Sequence, residues 1–287
     1  MSSSNVDSKQ HLASSFGRAA ESYDRSAYLQ KLVGHTLCDR FKSVFDSRGL
    51  ARPSYFLDLG CGTGYFSQRL LEAFDPQTLV LGDISKDMLH CALERSKQGP
   101  VEQGVQARAH SHLISACQLD AENLGFTDNS IDLIFSSLAL QWASDLPRVL
   151  GHVRHCLRED GLIAFSTLLD GTLSELKSAW ARVDDQQHVN EFLLFEDHLK
   201  AAEDSGLTIE VAEQVDVVLP YDKPIQLMRD LKAIGAHNIS SERPKALMGK
   251  SKLNGVLRAY EQYRRLDGTV PATYRVGYFV LRKPLQR

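Results

Sequence analysis

The sequence predicts an α/β protein with a doubly wound, mostly parallel sheet. Three observations predict it. Residues 55–64 read YFLDLGCGTG, an apolar run that closes on an aspartate and then three glycines at alternate positions. Strand-like and helix-like patterns alternate five times between 55 and 168. Acids recur at corresponding places, Asp58 within the first strand, Asp83 at the end of the second and Asp120 at the end of the third. Strand ends of a parallel sheet converge on one crevice, so these acids are expected to meet there.

The elements follow in order. Residues 11–28 place Leu12, Phe16, Ala19, Ala20 and Tyr23 on one helical face, and 29–45 continue as a second helix that the 47–53 stretch, with Gly49 and Pro53, breaks. Tyr55, Phe56, Leu57 and Leu59 suit a strand buried on both faces, and Phe66, Leu70, Leu71 and Phe74 mark the helix after the glycines. A second strand covers 78–81 and ends at Asp83, with Ser85 as a natural N-cap for a helix through Met88, Leu89, Ala92 and Leu93. Polar residues 99–111 read as a loop, 113–119 as a third strand, 131–136 as a fourth, 146–157 as a helix and 161–168 as a fifth strand. Helices at 173–183 and 195–202 precede a long β-branched strand at 207–219, and a last strand at 274–281 brings the total to seven. Between the last two strands lies a mostly helical insertion, read as a lid over 222–270; the chain divides into an N-terminal helical segment at 1–50 that covers the site and a catalytic domain at 51–287.

Composition bounds the function. With 43% apolar and 24% charged residues the chain is an ordinary globular protein, and no stretch approaches a membrane span. The polar start, MSSSNVDSKQ, lacks a signal-peptide pattern, which predicts a soluble, cytoplasmic protein. Cys38, Cys61, Cys91, Cys117 and Cys156 are odd in number and widely spaced, suggesting neither a disulfide framework nor a zinc site; no metal is expected. A net charge of -3 argues against general nucleic-acid binding.

The glycine turn takes its meaning from its neighbours. Glycine lets the backbone turn sharply and approach a ligand, although an ordinary βα turn would look similar in isolation. An acid after the second strand can accept both hydroxyl hydrogens of a ribose, and Asp83 alone does not choose between nucleotide cofactors. The spacing Gly60-x-Gly62-x-Gly64 differs from G-x-G-x-x-G, which disfavours a nicotinamide enzyme, and Asp120-Ala121 stands where an adenine amino group would be read.

LDLGCGTG, GDIS with Met88-Leu89, LDAE and SIDLIFSSLALQW together resemble the ordered motifs of class I S-adenosylmethionine-dependent methyltransferases, over roughly 50–170. FGRAAESYD, SLALQW, FSTLLDGTLSEL with Trp180, HVNEF and LMRDLKAIGAHN extend the resemblance to the malonyl-[acyl-carrier protein] O-methyltransferases of biotin synthesis. One departure is Ser137, where such relatives would carry asparagine. The resemblance implies a Rossmann-like fold, S-adenosyl-L-methionine as cofactor, and methyl transfer to the free carboxylate of a malonyl thioester on acyl-carrier protein or coenzyme A. Another small acid, a quinone-type ring, or cofactor binding without turnover are the alternatives.

It also implies roles. Gly60, Gly62 and Gly64 would approach the methionine part of the cofactor, with Asp58 orienting the loop, while Asp83 binds the ribose. Ile84 and Met88 sandwich the adenine or belong to the core, and Asp120 and Ala121 read its edge; Ser136 stands at the cofactor end of the fourth strand. Gln141 and Trp142 fall where the transferable methyl lies, and Tyr23 closes over the cofactor, touches the acceptor or is half-buried. Arg18 is placed to fork onto a carboxylate, and His188, Asn190, Lys232, His237 and Asn238 shape the malonyl pocket or the fold. Finally, residues 229–265 carry nine basic and three acidic side chains, a formal +6 that leaves -9 for the rest. Such a segment either steers an acidic carrier protein or is a solvated helical face.

Overall fold

In a computed structural model, described for residues 13–14, 27–97, 112–233 and 249–285, seven strands form one sheet of order β3-β2-β1-β4-β5-β7-β6. The strands are β1 (Tyr55–Leu59), β2 (Thr78–Asp83), β3 (Leu113–Gln118), β4 (Ile131–Ser137), β5 (Leu157–Leu168), β6 (Thr208–Tyr221) and β7 (Val270–Arg282). The first five run parallel, and β7 is antiparallel to both β5 and β6. The helices are α1 (Tyr28–Ser47), α2 (Ser67–Phe74), α3 (Lys86–Lys97), α4 (Leu146–Cys156), α5 (Ser174–Trp180), α6 (Phe195–Asp204), α7 (Pro224–Ala233) and α8 (Lys250–Tyr260).

The period-2 pattern of the strands divides the core between two faces. Phe56, Leu79, Leu81, Leu133 and Phe135 join a cluster with α1, α2 and α3. Their neighbours Leu57, Leu59, Val80 and Ile134 point the other way, onto α4 and α6. Along α1, Leu29, Val33, Leu37, Phe41 and Phe45 recur every fourth residue and are all buried, so one stripe lies on the sheet. Phe41 meets Phe56 edge-on, with centroids 5.9 Å apart, and Phe74 at 4.9 Å. These pairs dock α1 against β1 and the end of α2.

Three boundaries differ from the sequence reading, for identifiable reasons. The fifth strand begins at Leu157 because the chain turns extended at the α4 C-cap, and Asp160 N–H donates to Lys283 O while Lys283 N–H donates to Gly161 O. The last two strands grow longer by pairing with one another from Thr208↔Arg282 to Tyr221↔Val270, which confines the insertion to 222–269. The 173–183 helix shortens to α5, with Leu173 at its N-cap in the left-handed region. Most of the 11–28 helix, including Arg18 and Tyr23, lies outside the described residues, as do His237, Asn238, Glu242, Arg243 and Lys245. Among the described residues, no helix is long and apolar enough to cross a membrane.

Candidate active site

The carboxyl ends of β1 to β4 open onto a cleft of about 810 Å³, counted with the space at its mouth. Gly60, Gly62, Asp83, Ile84, Met88, Asp120, Ala121 and Trp142 line it. A second chamber of about 490 Å³ adjoins it, sharing Gly60, Gly62 and Ser137 and adding Asp58 and the first turn of α1. Strand ends at a topological switch point leave such a crevice because the flanking helices diverge there.

The glycine loop is held by backbone bonds and by Asp83. Gly60 and Cys61 N–H both donate to Gly82 O, at 2.7 and 3.0 Å. Asp83 Oδ2 accepts from Gly62 N–H at 2.9 Å, while Oδ1 accepts from Ser85 N–H at 2.8 Å. One carboxylate thus ties the loop to β2 and caps the approach to α3 while lining the cleft. The glycines are not equivalent. A Cβ on Gly60 would stand 2.3 Å from Ala139 Cβ, and one on Gly64 would be 2.8 Å from Ala92 Cβ, whereas nothing lies within 4 Å at Gly62. Gly62 therefore faces open cleft, Gly60 admits the turn after β4, and Gly64 serves packing on α3 without lining either chamber.

The opposite wall is the turn after β4. Leu138 has φ 50°, a left-handed conformation costly for a branched side chain, and is held there by donating to Ser166 O at 3.0 Å and Ser166 Oγ at 3.2 Å. This turn carries Leu138, Ala139, Leu140 and Trp142 along the cleft. It also corrects one expectation: strand alternation buries Ser136 completely and puts Ser137 on the cleft. Gln141 lies aside from both chambers, its Oε1 accepting from Leu168 N–H at 3.2 Å, so it braces the end of β5. At the Asp120 end of the cleft, Glu122 N–H donates to Asp120 Oδ1, and the buried Glu122 carboxylate accepts both the N–H and the hydroxyl of Ser144. That bridge fixes the Asp120–Ala121 edge against the Trp142 turn.

Electrostatics set the glycine end apart. Asp58 is 3% exposed, and burial, joined by the nearby Asp83 charge, pushes its carboxyl up from 3.8 to about 7. Burial raises Asp83 too, against the backbone N–H bonds that it accepts. The Cys61 thiol is driven well above its ordinary range by burial and the two carboxylates.

The residues assigned to a malonyl pocket do not gather at this cleft. His188 stacks on Trp180 with centroids 3.6 Å apart, and its Nε2 lies 2.7 Å from Asp184 Oδ1. Lys252 reaches the same carboxylate at 2.8 Å and pulls it down to about 2, joining the α5 loop to α8. Lys232 is exposed in the last turn of α7, and Asn190 is half-buried after the buried Val189. Sequence reasoning missed Gln30, Lys31, Tyr65 and Phe66, which line the second chamber. A polar pair in the first turn of an otherwise striped helix was the available signal.

A doubly wound sheet with an antiparallel β7, a glycine turn after β1 and an acid at the end of β2 defines a class I methyltransferase. The comparisons agree. Residues 57–165 match the family described as a methyltransferase domain. The fold resembles that of the YcgJ protein from Bacillus subtilis, with a TM-score of 0.60 at 16% identity over 88% of this chain and 100% of that one. The malonyl-[acyl-carrier protein] O-methyltransferase of Laribacter hongkongensis is 39% identical over 280 residues, 97% of this chain and 91% of that protein. The biotin biosynthesis bifunctional protein BioHC of Saccharophagus degradans is 37% identical over 96% of this chain; the chain spans about half the length of that relative, 47%. The chain belongs to the malonyl-[acyl-carrier protein] O-methyltransferase family.

Proposed function

We propose that the chain transfers the methyl group of S-adenosylmethionine to the free carboxylate of a malonyl thioester carried on acyl-carrier protein or coenzyme A, giving its methyl ester. The observation that carries this reading is the near full-length likeness to relatives of that name, which spans the insertion as well as the cofactor cleft. The cleft fits the nucleoside part. Asp83 faces where ribose hydroxyls would lie, Ile84 and Met88 offer an apolar slot for a purine, and Asp120 and Ala121 border its edge. When bound, the cofactor supplies an electrophilic methyl on a sulfonium sulfur.

The chain's own residues supply position and dryness. A malonyl carboxyl titrates near 4, so the acceptor is ionised at neutral pH and no general base is required. Gly60, Gly62 and Ser137 line both chambers at their junction, where water must be excluded for the two charges to meet, and Leu138 and Trp142 wall the cleft beside it. Orientation of this kind supplies up to roughly 7–11 kcal/mol in favourable systems. The first turn of α1 borders the methionine side, and α7 and α8 of the insertion carry basic side chains that receive an acidic carrier. Residues now engaged in the fold, His188 above all, position α5 and the lid and do not touch the acceptor.

Incubation with methyl-labelled S-adenosylmethionine and malonyl carrier protein, malonyl-coenzyme A, aconitate or a quinol tests the reading. Base-labile label on a malonyl thioester is the expected result. Base-stable label on a ring carbon, or transfer to aconitate alone, would overturn it.

A further inference from the structure

The second chamber contains a polar mismatch that the nucleoside does not explain. Asp58 Oδ2 and Gln30 Oε1 are both buried acceptors without a hydrogen-bond donor among the described residues, and both side chains line this chamber. A buried acceptor left without a donor is costly, and two from different elements facing one space indicate that a donor belongs between them. Beside them the charge reverses. Lys31, next to Gln30 on α1, holds its Nζ 4.8 Å from the Tyr65 ring centroid, and the Arg95 guanidinium lies 5.8 Å from the same ring. Arg95 Nη1 also donates to Thr63 Oγ1 at 3.2 Å. The chamber therefore offers acceptors and one carboxylate on one side and cations on the other. That is the complement of an α-amino-acid zwitterion, whose ammonium has three donors and whose carboxylate has none.

We infer that the first turn of α1 recognises the amino-acid end of the cofactor: Gln30 Oε1 and Asp58 Oδ2 accept from its ammonium, and Lys31 Nζ pairs with its carboxylate. The inference rests on the reading of the cleft as an S-adenosylmethionine site, and it makes Gln30 and Lys31 cofactor-positioning residues. Packing holds the turn in place. Gly34 lies one turn on from Gln30 and Lys31, and a Cβ there would stand 2.2 Å from the Phe66 ring, so α1 sits directly on the residue that leads into α2. The three residues are thereby fixed relative to the glycine loop before any ligand arrives.

Calorimetric titration of the full chain with three ligands tests the assignment. S-adenosylhomocysteine carries the whole amino-acid end, decarboxylated S-adenosylmethionine keeps only the ammonium, and 5′-methylthioadenosine has neither. Gln30→Leu should weaken S-adenosylhomocysteine binding roughly tenfold or more while leaving methylthioadenosine within about twofold, and Gln30→Glu, which retains an acceptor, should bind S-adenosylhomocysteine better than the leucine variant. Lys31→Met should weaken S-adenosylhomocysteine yet spare the decarboxylated ligand. Unchanged S-adenosylhomocysteine affinity in Gln30→Leu, or equal losses for all three ligands, overturns the inference alone. A wild-type chain that binds none of the three removes the reading of the cleft, and the inference with it.

Discussion

Asp83 serves the fold and the cleft with the same two oxygens. Because Gly62 and Ser85 N–H already point at them, Asp83→Ala leaves two amide donors without partners as well as removing the proposed ribose acceptor, and each loss is worth about 1–3 kcal/mol. The expected outcome is at least roughly tenfold weaker S-adenosylhomocysteine binding by calorimetry together with a lower melting temperature. Unchanged affinity would remove Asp83 from the site. Asp58 makes a prediction of a different kind, since its folded value of about 7 lies above the ordinary 3.8. The folded chain then holds this proton more tightly than the unfolded chain, so the Asp58 contribution to stability is full below about pH 4, declines as pH rises through the window to 7, and is lost above it. Asp58→Asn abolishes that titration. Urea unfolding of the ligand-free protein at pH 5 and pH 8 should show wild type losing about 1–3 kcal/mol more than the variant across the interval. Equal losses would mean that Asp58 is ionised at both pH values. The variant should also bind S-adenosylhomocysteine less well, because it removes the anion facing the cofactor's ammonium.

Two turns, one after β1 and one after β4, close on each other at Gly60 and Ala139, and that contact gives the elements their relative position. Gly60→Ala drives Cβ to 2.3 Å from Ala139 Cβ in a residue with φ 75°, so it should destabilise the fold by about 2 kcal/mol or more. Ala139→Gly in the same chain removes the atom that is struck and should restore part of the loss, measurable as a non-additive change in melting temperature. Additive losses would show that the two turns do not bear on one another. This is also where the sequence stops being legible. The strands, the alternation with helices and the convergence of Asp58, Asp83 and Asp120 follow from periodicity and turn chemistry, which act locally and leave a mark in the residues. The left-handed Leu138 and the diversion of Gln141 to Leu168 come from β4 being held by β5, a contact between strands that no local pattern records. His188 differs in kind: beside Asn190 it reads as a pocket residue, yet it stacks on Trp180 and pairs with Asp184 four residues before it, contacts made by the turn of the chain after α5. Gln30 and Lys31 read as plain helix because only Asp58, in another element, gives them meaning.

At the scale of the molecule the charge is divided, with 229–265 at a formal +6 against -9 elsewhere, and the structure shows how some of those cations are used. Lys252 is tied to Asp184, and Arg264 holds Glu261 with both its Nε and Nη2. Both pairs neutralise a cation locally, at the α5–α8 junction and in the turn after α8. Lys250 and Arg258 are exposed on α8 and make no ion pair among the described residues. If an acidic carrier protein presents the malonyl group, its first encounter is with these two, and surface charges of this sort govern approach more than the final fit. Lys250→Glu with Arg258→Glu should therefore raise KM for malonyl carrier protein roughly tenfold at low ionic strength, with the effect shrinking as salt shortens the screening length to about 3 Å near 1 M. Turnover at saturating carrier should hold, because neither side chain lines the cleft. Malonyl-coenzyme A offers a much smaller charged surface, and its KM should change by no more than about twofold. Equal increases for both acceptors would place the effect in the fold of the insertion, and no increase for either would leave the basic segment a solvated face.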